Sequence, residues 1–446
     1  MTQQADDKPF WLRGNLAPVH DEATIFDLPV EGSIPPELCG LYARNGANPR
    51  DGHSGHWFFG DGMVHGVSLK NGKAEWYRNR WVRTPVFEGE KRPPFDIRNS
   101  VANTSVIKHA GRILALVENA LPMELTPELG TEGFLDFDGE LHTPFTAHPK
   151  VCPLTGELHF FGYSLQPPYL TCHMADASGK LVQSTEIPIK APVMMHDFAL
   201  TSGHVIFMDL PLVFDVDAAK KGTMPFAWSE EHGARLGILP RGKGAESLRW
   251  AEIEPCFVYH VANAYEEEDG TIVADTAWYK EHWRDGPSNT NFETAALRRW
   301  RIPPHASKAS EEPIDDLAVE FPRINDGHAG LPHSVVYAIG DAADIVTGRN
   351  KSLVRYNMRS GKRSVKEFPS GSPSEFTFVS AGDGAAEDEG WLLGFVYDWG
   401  RNASDLMILD AQDIAGKAVA RVALPRRVPQ GFHGNWLPDA NETAKA

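Results

Sequence analysis

Short apolar or alternating runs recur along the whole chain, separated by Gly, Asp, Asn or Pro. Six of them have strand length and start at or beside a turn-forming residue: Gly111–Val117, Gly156–Tyr163, Gly203–Asp209, Gly270–Asp275, Gly390–Tyr397 and Ser404–Asp410. Runs of this length between turn residues are typical of β-strands. Helical patterns are scarce, and short helices are predicted only at Met123–Leu129, Ala218–Lys221 and Asp341–Val346. The pattern therefore predicts an all-β protein.

Evenly recurring strands over a long chain fit a sandwich, a barrel or a propeller. The chain shows no clean internal repeat, so the spacing alone does not select among the three. No low-complexity linker divides it either, because strand patterns lie on both sides of the polar stretch Pro303–Ile314. The sequence therefore predicts a single domain over residues 1–446, with loose tails at 1–9 and 439–446.

The charge balance narrows the class of partner. The chain has a formal net charge of −17 at pH 7 and contains no run of Lys or Arg. Binding to the phosphate backbone of a nucleic acid needs a basic patch. We therefore expect no nucleic-acid partner.

The four cysteines and the N-terminal residues bear on the compartment. The cysteines form no CxxC pair, and Met1–Asp7 is polar and acidic with no apolar segment behind it. This predicts reduced thiols in a cytoplasmic protein without a secretory signal or membrane span. The apolar stretch Leu210–Phe214 fits a core strand, although a loop in peripheral contact with a membrane is the alternative.

Four of the 18 histidines stand at strand ends or turns, where side chains from distant segments can converge: His148, His196, His260 and His433. A single histidine in such a place is more often an ordinary surface or core residue than a metal ligand. The chain lacks the HxH, HxxxH and HExxH spacings of helical zinc sites and compact triads. It also lacks the GxSxG turn of a serine hydrolase.

Several short motifs follow one another in a fixed order: Gly32–Leu38, Leu41–Pro49, Gly60–His65, Ala147–Lys150, Met195–Asp197, Glu254–Glu266, Glu320–Pro322 and Phe432–Gly434. In this order the sequence resembles the carotenoid cleavage oxygenase family. The resemblance implies a seven-bladed β-propeller with a cap of loops and short helices over one face. It also implies Fe(2+) on the propeller axis, with each of the four histidines supplied by a different blade.

A metal-bound imidazole usually donates its other N–H to a carboxylate or carbonyl, which fixes its tautomer. The resemblance supplies three glutamates for this role and leaves His148 without one: Glu118 for His196, Glu320 for His260 and Glu375 for His433. Glu118 and Glu320 also stand in apolar surroundings in the sequence. Charged residues in such places are normally paired.

The resemblance also implies roles for other residues of the chain. Thr104 matches a position near the iron whose methyl group restricts one coordination position, with an ordinary strand threonine as the alternative. His65 belongs to a family motif but is interpreted as structural. Phe58 and Phe87 are expected to line the substrate tunnel, and the alternative is that they are core residues.

Two branches of the family compete for the substrate. The branch that cleaves stilbenes has a lysine before the first glutamate and an upstream tyrosine, whereas this chain has Val117 and Phe87 there. The sequence therefore favours an Fe(2+)-dependent dioxygenase that uses O₂ to cleave a C=C bond of a carotenoid or apocarotenoid polyene into two carbonyl products. The alternatives are a dioxygenase acting on an aromatic alkene, a stilbene or phenylpropanoid, and a non-catalytic propeller that binds a partner.

Overall fold

The computed structural model describes residues 8–93, 95–221, 224–284, 293–341 and 349–439. Within these residues, seven antiparallel sheets of four to six strands form a seven-bladed β-propeller. This confirms the all-β class and the propeller that the family resemblance implied. A two-stranded hairpin is added to blade 4.

The strands of blades 1 to 3 are as follows: in blade 1, Ala23–Ile25, Gly40–Arg44, Met63–Lys70, Lys73–Trp81 and Gly434–Pro438; in blade 2, Ser105–His109, Arg112–Leu116, Met123–Leu125 and Thr131–Phe134; in blade 3, Lys150–Val151, Leu158–Tyr163, Leu170–Ala175 and Leu181–Glu186. Those of blades 4 and 5 are Ala199–Leu200, His204–Asp209, Arg235–Pro240 and Arg249–Glu252, then Phe257–Glu266, Ile272–Tyr279, Ala296–Ile302 and Ser310–Pro313. Those of blades 6 and 7 are Val319–Arg323, Val335–Gly340, Ser352–Asn357 and Lys362–Glu367, then Val30–Gly32, Gly371–Pro373, Thr377–Ser380, Gly390–Asp398, Ala403–Asp410 and Ala420–Ala423.

Helices are short in the described residues. The α-helix Val216–Lys220 joins the hairpin strands Leu212–Phe214 and Phe226–Trp228. Asp215 caps it by accepting hydrogen bonds from the first-turn N–H groups. Short 3₁₀ turns occur at Phe10–Leu12, Gly14–Leu16, Ala245–Ser247 and Asp326–His328.

All six strand segments predicted from the sequence are strands, and the helix predicted at Ala218–Lys221 is confirmed. The helix predicted at Met123–Leu129 is wrong. Met123–Leu125 instead pairs on both sides with strands of blade 2, so sheet pairing overrides the local pattern. Pro127 also disfavours helix there. Of the third predicted helix, 342–346 lies outside the described residues.

The two ends of the chain close the ring. The late strand Gly434–Pro438 pairs with Gly40–Arg44 in blade 1, and the early strand Val30–Gly32 pairs with Ala420–Ala423 in blade 7. Each pairing joins segments roughly 390 residues apart, so both ends of the chain supply strands to the blades that close the ring. The predicted tails at 1–9 and 439–446 lie mostly outside the described residues, and the single domain stays a prediction.

The apolar core lies between neighbouring sheets, and its largest cluster extends over blades 3, 4 and 5. Leu210 and Leu212 are 2% and 0% exposed within it, which supports the core-strand interpretation of Leu210–Phe214. Among the described helices, none is both long and apolar enough to cross a membrane.

Candidate metal centre

The four candidate histidines lie at or beside the end strand of four different sheets. His148 precedes Lys150–Val151 in blade 3, His196 precedes Ala199–Leu200 in blade 4, His260 is within Phe257–Glu266 in blade 5, and His433 precedes Gly434–Pro438 in blade 1. Their candidate ligand atoms all lie within 4.8 Å of one another. The end strands therefore converge on one point and bring together residues that are far apart in sequence.

The spacing of the ring nitrogens fits a single ion. The Nε2 atoms of His148 and His196 are 2.9 Å apart, and those of His260 and His433 are 3.2 Å apart. Two nitrogens bound at about 2.1 Å and at a right angle to each other are about 3.0 Å apart. The pairs thus have the separation of adjacent ligands on one metal.

Three of the imidazoles have a carboxylate behind them. The Nδ1 atoms of His196, His260 and His433 lie 2.7, 2.5 and 3.1 Å from carboxylate oxygens, which belong to Glu118, Glu320 and Glu375 respectively. The structure therefore forms the three pairs that the resemblance implied. A carboxylate at Nδ1 stabilises the tautomer with the proton there, so the Nε2 lone pair faces the centre.

His148 differs from the other three. Its Nε2 faces His196, and in the described part of the chain no carboxylate forms a hydrogen bond with it. Burial and the three neighbouring imidazoles hold the pKa of His148 well below its ordinary value. It is therefore a neutral ring, as a ligand must be.

The pair formed by His433 and Glu375 is neutral imidazole against carboxylate. Burial lowers the pKa of His433 to about 4, although Glu375 acts in the opposite direction. Burial alone would raise the pKa of Glu375, but His433, Arg323 and the Gly434 N–H outweigh it and bring that pKa to about 2. Glu375 consequently stays ionised and His433 donates from Nδ1.

The pKa of His260 is raised by its carboxylate partner, Glu320. Burial would lower its pKa, but the charge and hydrogen bond of Glu320 outweigh burial and raise it. Glu320 also accepts from the Phe321 N–H at 2.5 Å and from the Tyr279 hydroxyl at 2.9 Å. Three donors thus hold one buried carboxylate and, through it, the His260 ring.

The donor set fits a divalent transition-metal ion. Nitrogen lone pairs that converge from four imidazole rings repel one another unless a cation lies between them. Imidazole suits iron among other first-row metals, and neutral ligands leave the full charge on the ion. The carotenoid cleavage family is iron-dependent, and this buried cluster is suited to holding iron.

Thr104 lies directly before the first strand of blade 2, next to the His433 segment. Its backbone oxygen accepts from the His433 N–H at 3.1 Å, and its hydroxyl donates to Asn103 Oδ1 at 2.9 Å. The hydroxyl is thereby held by a neighbour. The role of its methyl group in restricting a coordination position stays a prediction.

Aromatic rings that the sequence analysis missed pack directly on the histidines. The Phe321 ring stacks on His260 with centroids 5.0 Å apart, and Tyr259 meets His196 edge-on at 5.1 Å. Phe321 has a φ of 52°, which is strained for a bulky residue and occurs mostly at functional sites. A signal was present, because each ring directly adjoins a predicted site residue in sequence.

The two predicted tunnel residues lie in different surroundings. Phe58 is in an aromatic group with Tyr259, Trp283 and Phe432, so its ring is one residue removed from the His196 ring. Phe87 is 4% exposed in a small cluster with Trp81. Contact of either with substrate stays a prediction.

His65 is not part of the cluster. It is 5% exposed, and its Nδ1 lies 2.9 Å from the Tyr77 hydroxyl on the neighbouring strand of blade 1. This geometry agrees with the structural role expected for it.

Comparison with known proteins gives matches over nearly the whole chain. The family described as retinal pigment epithelial membrane protein matches residues 16–438. A carotenoid cleavage oxygenase of Mycobacterium tuberculosis is 38% identical and is covered over 99% of its length by 98% of this chain. A carotenoid 9,10(9′,10′)-cleavage dioxygenase 1 of Arabidopsis thaliana is 35% identical, over 96% of this chain and 90% of its own.

Solved structures with this fold come from both substrate branches. A lignostilbene dioxygenase of Pseudomonas brassicacearum superposes with a TM-score of 0.86 at 29% identity, over 97% of this chain and 99% of its own. A cobalt-substituted apocarotenoid oxygenase of Synechocystis gives 0.85 at 28% identity, over 96% and 98%. These neighbours share the architecture described above but differ in the substrates that their names state.

Proposed function

This chain belongs to the carotenoid cleavage oxygenase family, and from that premise we propose that it is an Fe(2+)-dependent dioxygenase that cleaves a C=C bond of a carotenoid or apocarotenoid. The proposal rests chiefly on four imidazoles, two buried and two half-buried, whose Nε2 atoms converge, three of them backed by carboxylates. In this proposal His148, His196, His260 and His433 hold the iron.

The protein's contribution is orientation and exclusion of water. When bound, the iron supplies the electron-transfer chemistry by which O₂ reacts with an electron-rich double bond. Glu118, Glu320 and Glu375 hold the Nδ1 protons, so that the rings cannot turn away from the centre. No general acid or base is required, because cleavage places one oxygen atom on each of two carbonyl products.

The surroundings of the cluster suit an apolar substrate. Tyr259 and Phe321 pack on the histidines, and Phe58 continues the aromatic group outward. In this proposal Phe58 and Phe87 contribute to the substrate tunnel, and the Thr104 methyl limits access to the iron. A long polyene would gain from burial against such rings.

A stilbene or phenylpropanoid is the second candidate substrate. It is favoured by the likeness to the lignostilbene dioxygenase structure, whose TM-score of 0.86 equals or exceeds those of the apocarotenoid oxygenase. Against it stands Val117, which is apolar and 7% exposed where the stilbene branch has a lysine. Without that cation the chain lacks a partner for a phenolate at this position, so we favour the polyene.

A metal-free binding propeller explains the centre less well. It would leave four Nε2 atoms facing one another, with the buried carboxylates of Glu320 and Glu375 and the half-buried one of Glu118 behind them. Buried charges and lone pairs in such an arrangement are costly without a counter-ion. The cytoplasmic location also remains a proposal, supported by four cysteines that form no disulfide.

The decisive experiment uses protein purified without oxygen. Iron is quantified per chain, and an apocarotenal and resveratrol are then offered side by side under ¹⁸O₂. We expect one iron per chain and cleavage of the polyene, with label in both carbonyl products. Cleavage of resveratrol alone would keep the centre and overturn the substrate, whereas failure to bind iron would overturn the proposal itself.

A further inference from the structure

Asn45 is a buried asparagine in the turn after the strand Gly40–Arg44, and it is 1% exposed. Its side-chain Nδ2 donates to the backbone oxygens of Ala102 at 2.7 Å and Ser105 at 3.0 Å, while Oδ1 accepts from the Gly46 N–H at 2.9 Å. Both donors and the acceptor of the amide are therefore used. The two accepting carbonyls belong to residues on either side of Thr104.

The backbone of Asn45 is bonded to a second segment of the centre. Its N–H donates to the His433 oxygen at 2.9 Å, and its oxygen accepts from the Phe432 N–H at 3.0 Å. His433 in turn donates its N–H to the Thr104 oxygen at 3.1 Å. Three segments distant in sequence thus form one closed set of hydrogen bonds.

We propose that Asn45 is a positioning residue of the metal centre, which fixes the His433 ring relative to Thr104. Its hydrogen bonds go to these two segments and not to the ligand nitrogens, so it acts through the segments. Ala102 has a φ of 45°, a strained backbone conformation, and the hydrogen bond from the Asn45 side chain helps to hold it in place. The proposal rests on the proposed function only in that the centre binds a metal.

The chemistry of the side chain is specific to asparagine. Aspartate has the same shape but lacks both donors, and its charge would face the two carbonyl oxygens of Ala102 and Ser105. Alanine would leave these oxygens without their donor, and a buried acceptor without a partner is destabilised. Serine retains one donor on a shorter side chain.

Asn48 is a matched control in the same motif. It is 2% exposed, its Oδ1 accepts from the Val19 N–H at 2.8 Å, and its Nδ2 donates to the Val19 oxygen at 2.8 Å. It therefore makes the same kind of side-chain bonds to backbone, but to a segment outside the metal centre. Loss of Asn48 should lower stability without moving His433.

The test uses metal-free protein titrated with cobalt(II), whose visible absorption bands report the ligand geometry without turnover. Wild type is compared with Asn45→Ala, Asn45→Asp, Asn45→Ser and Asn48→Ala, with the melting temperature measured for each. We expect Asn45→Ala and Asn45→Asp to weaken cobalt binding about 10- to 100-fold, as loss of an outer partner does, and to shift the bands. Asn45→Ser should recover part of both, and Asn48→Ala should keep the wild-type bands and affinity despite a lower melting temperature.

Three results would overturn the proposal. Unchanged bands and affinity in any folded Asn45→Ala, Asn45→Asp or Asn45→Ser protein would show that the bonds do not set the geometry. An equal loss in Asn48→Ala would show a general effect of stability. Wild type that binds no cobalt would overturn the metal centre itself, and this failure is recognised without reference to the variants.

Discussion

Replacing Glu320 by glutamine removes a buried negative charge beside His260 and preserves the shape of the side chain. In the wild-type protein, the His260 Nδ1 and the Phe321 N–H both donate to Oε2 of Glu320. The side-chain oxygen of the glutamine can still accept both of these hydrogen bonds. Its amide group would take the place of Oε1 and donate to the Tyr279 hydroxyl, which can also accept. The variant therefore isolates the effect of charge.

The size of the effect follows from the difference in strength between a hydrogen bond to a charged acceptor and one to a neutral acceptor. A hydrogen bond to a charged group contributes about 1.5–3 kcal/mol and a neutral one about 0.5–1.5 kcal/mol. The difference of about 1–2 kcal/mol corresponds to iron binding weaker by about 5- to 30-fold. The centre should be weakened but not abolished, because all four imidazoles remain.

The assay is competition for iron(II) between the protein and a chelator, under anaerobic conditions. Glu266→Gln is the matched control, because Glu266 accepts from the His204 Nδ1 at 3.0 Å at the far end of the strand that carries His260. We expect the control to bind iron like wild type. Wild-type affinity in Glu320→Gln, or an equal loss in Glu266→Gln, would refute the role of the charge.

Three further expectations concern the same strand and its neighbours. His260→Ala should retain no iron and no turnover, and full turnover would contradict the ligand set. Tyr279→Phe removes one neutral donor from Glu320 and should weaken iron binding about 2- to 10-fold in the same competition assay, for a bond of about 0.5–1.5 kcal/mol. The hydrogen bond from His204 is the largest of the causes that lower the pKa of Glu266 to about 2, which is below its value in the unfolded chain. The ionised carboxylate therefore stabilises the fold above about pH 4.5. The free energy of unfolding of wild type should therefore exceed that of Glu266→Gln by about 1–2 kcal/mol at pH 7, after allowance for solvent screening. This difference should vanish as the pH falls towards 2. A difference that persists at pH 2 would contradict the role of the carboxylate.

Local structure was largely predictable from the sequence. Apolar runs between turn residues predict strands at segments such as Gly203–Asp209 and Ser404–Asp410, and both are strands in the structure. The error at Met123–Leu129 has a physical cause, because a short apolar segment does not distinguish strand from helix until its sheet partners are known. The resemblance of ordered motifs supplied the propeller and the ligands, which neither periodicity nor spacing could do.

The sequence by itself determined which segments extend and which residue types are available for chemistry. Only the tertiary structure decided which of them meet, since His260 and His433 are 173 residues apart and yet face each other at 3.2 Å. The same is true of Asn45, whose bonds to the Ala102–Ser105 and His433 segments no local pattern indicates. The alternation that marks a strand is read between residues two positions apart, whereas the metal centre forms only where strands from four blades meet, and that meeting depends on the fold of the whole chain.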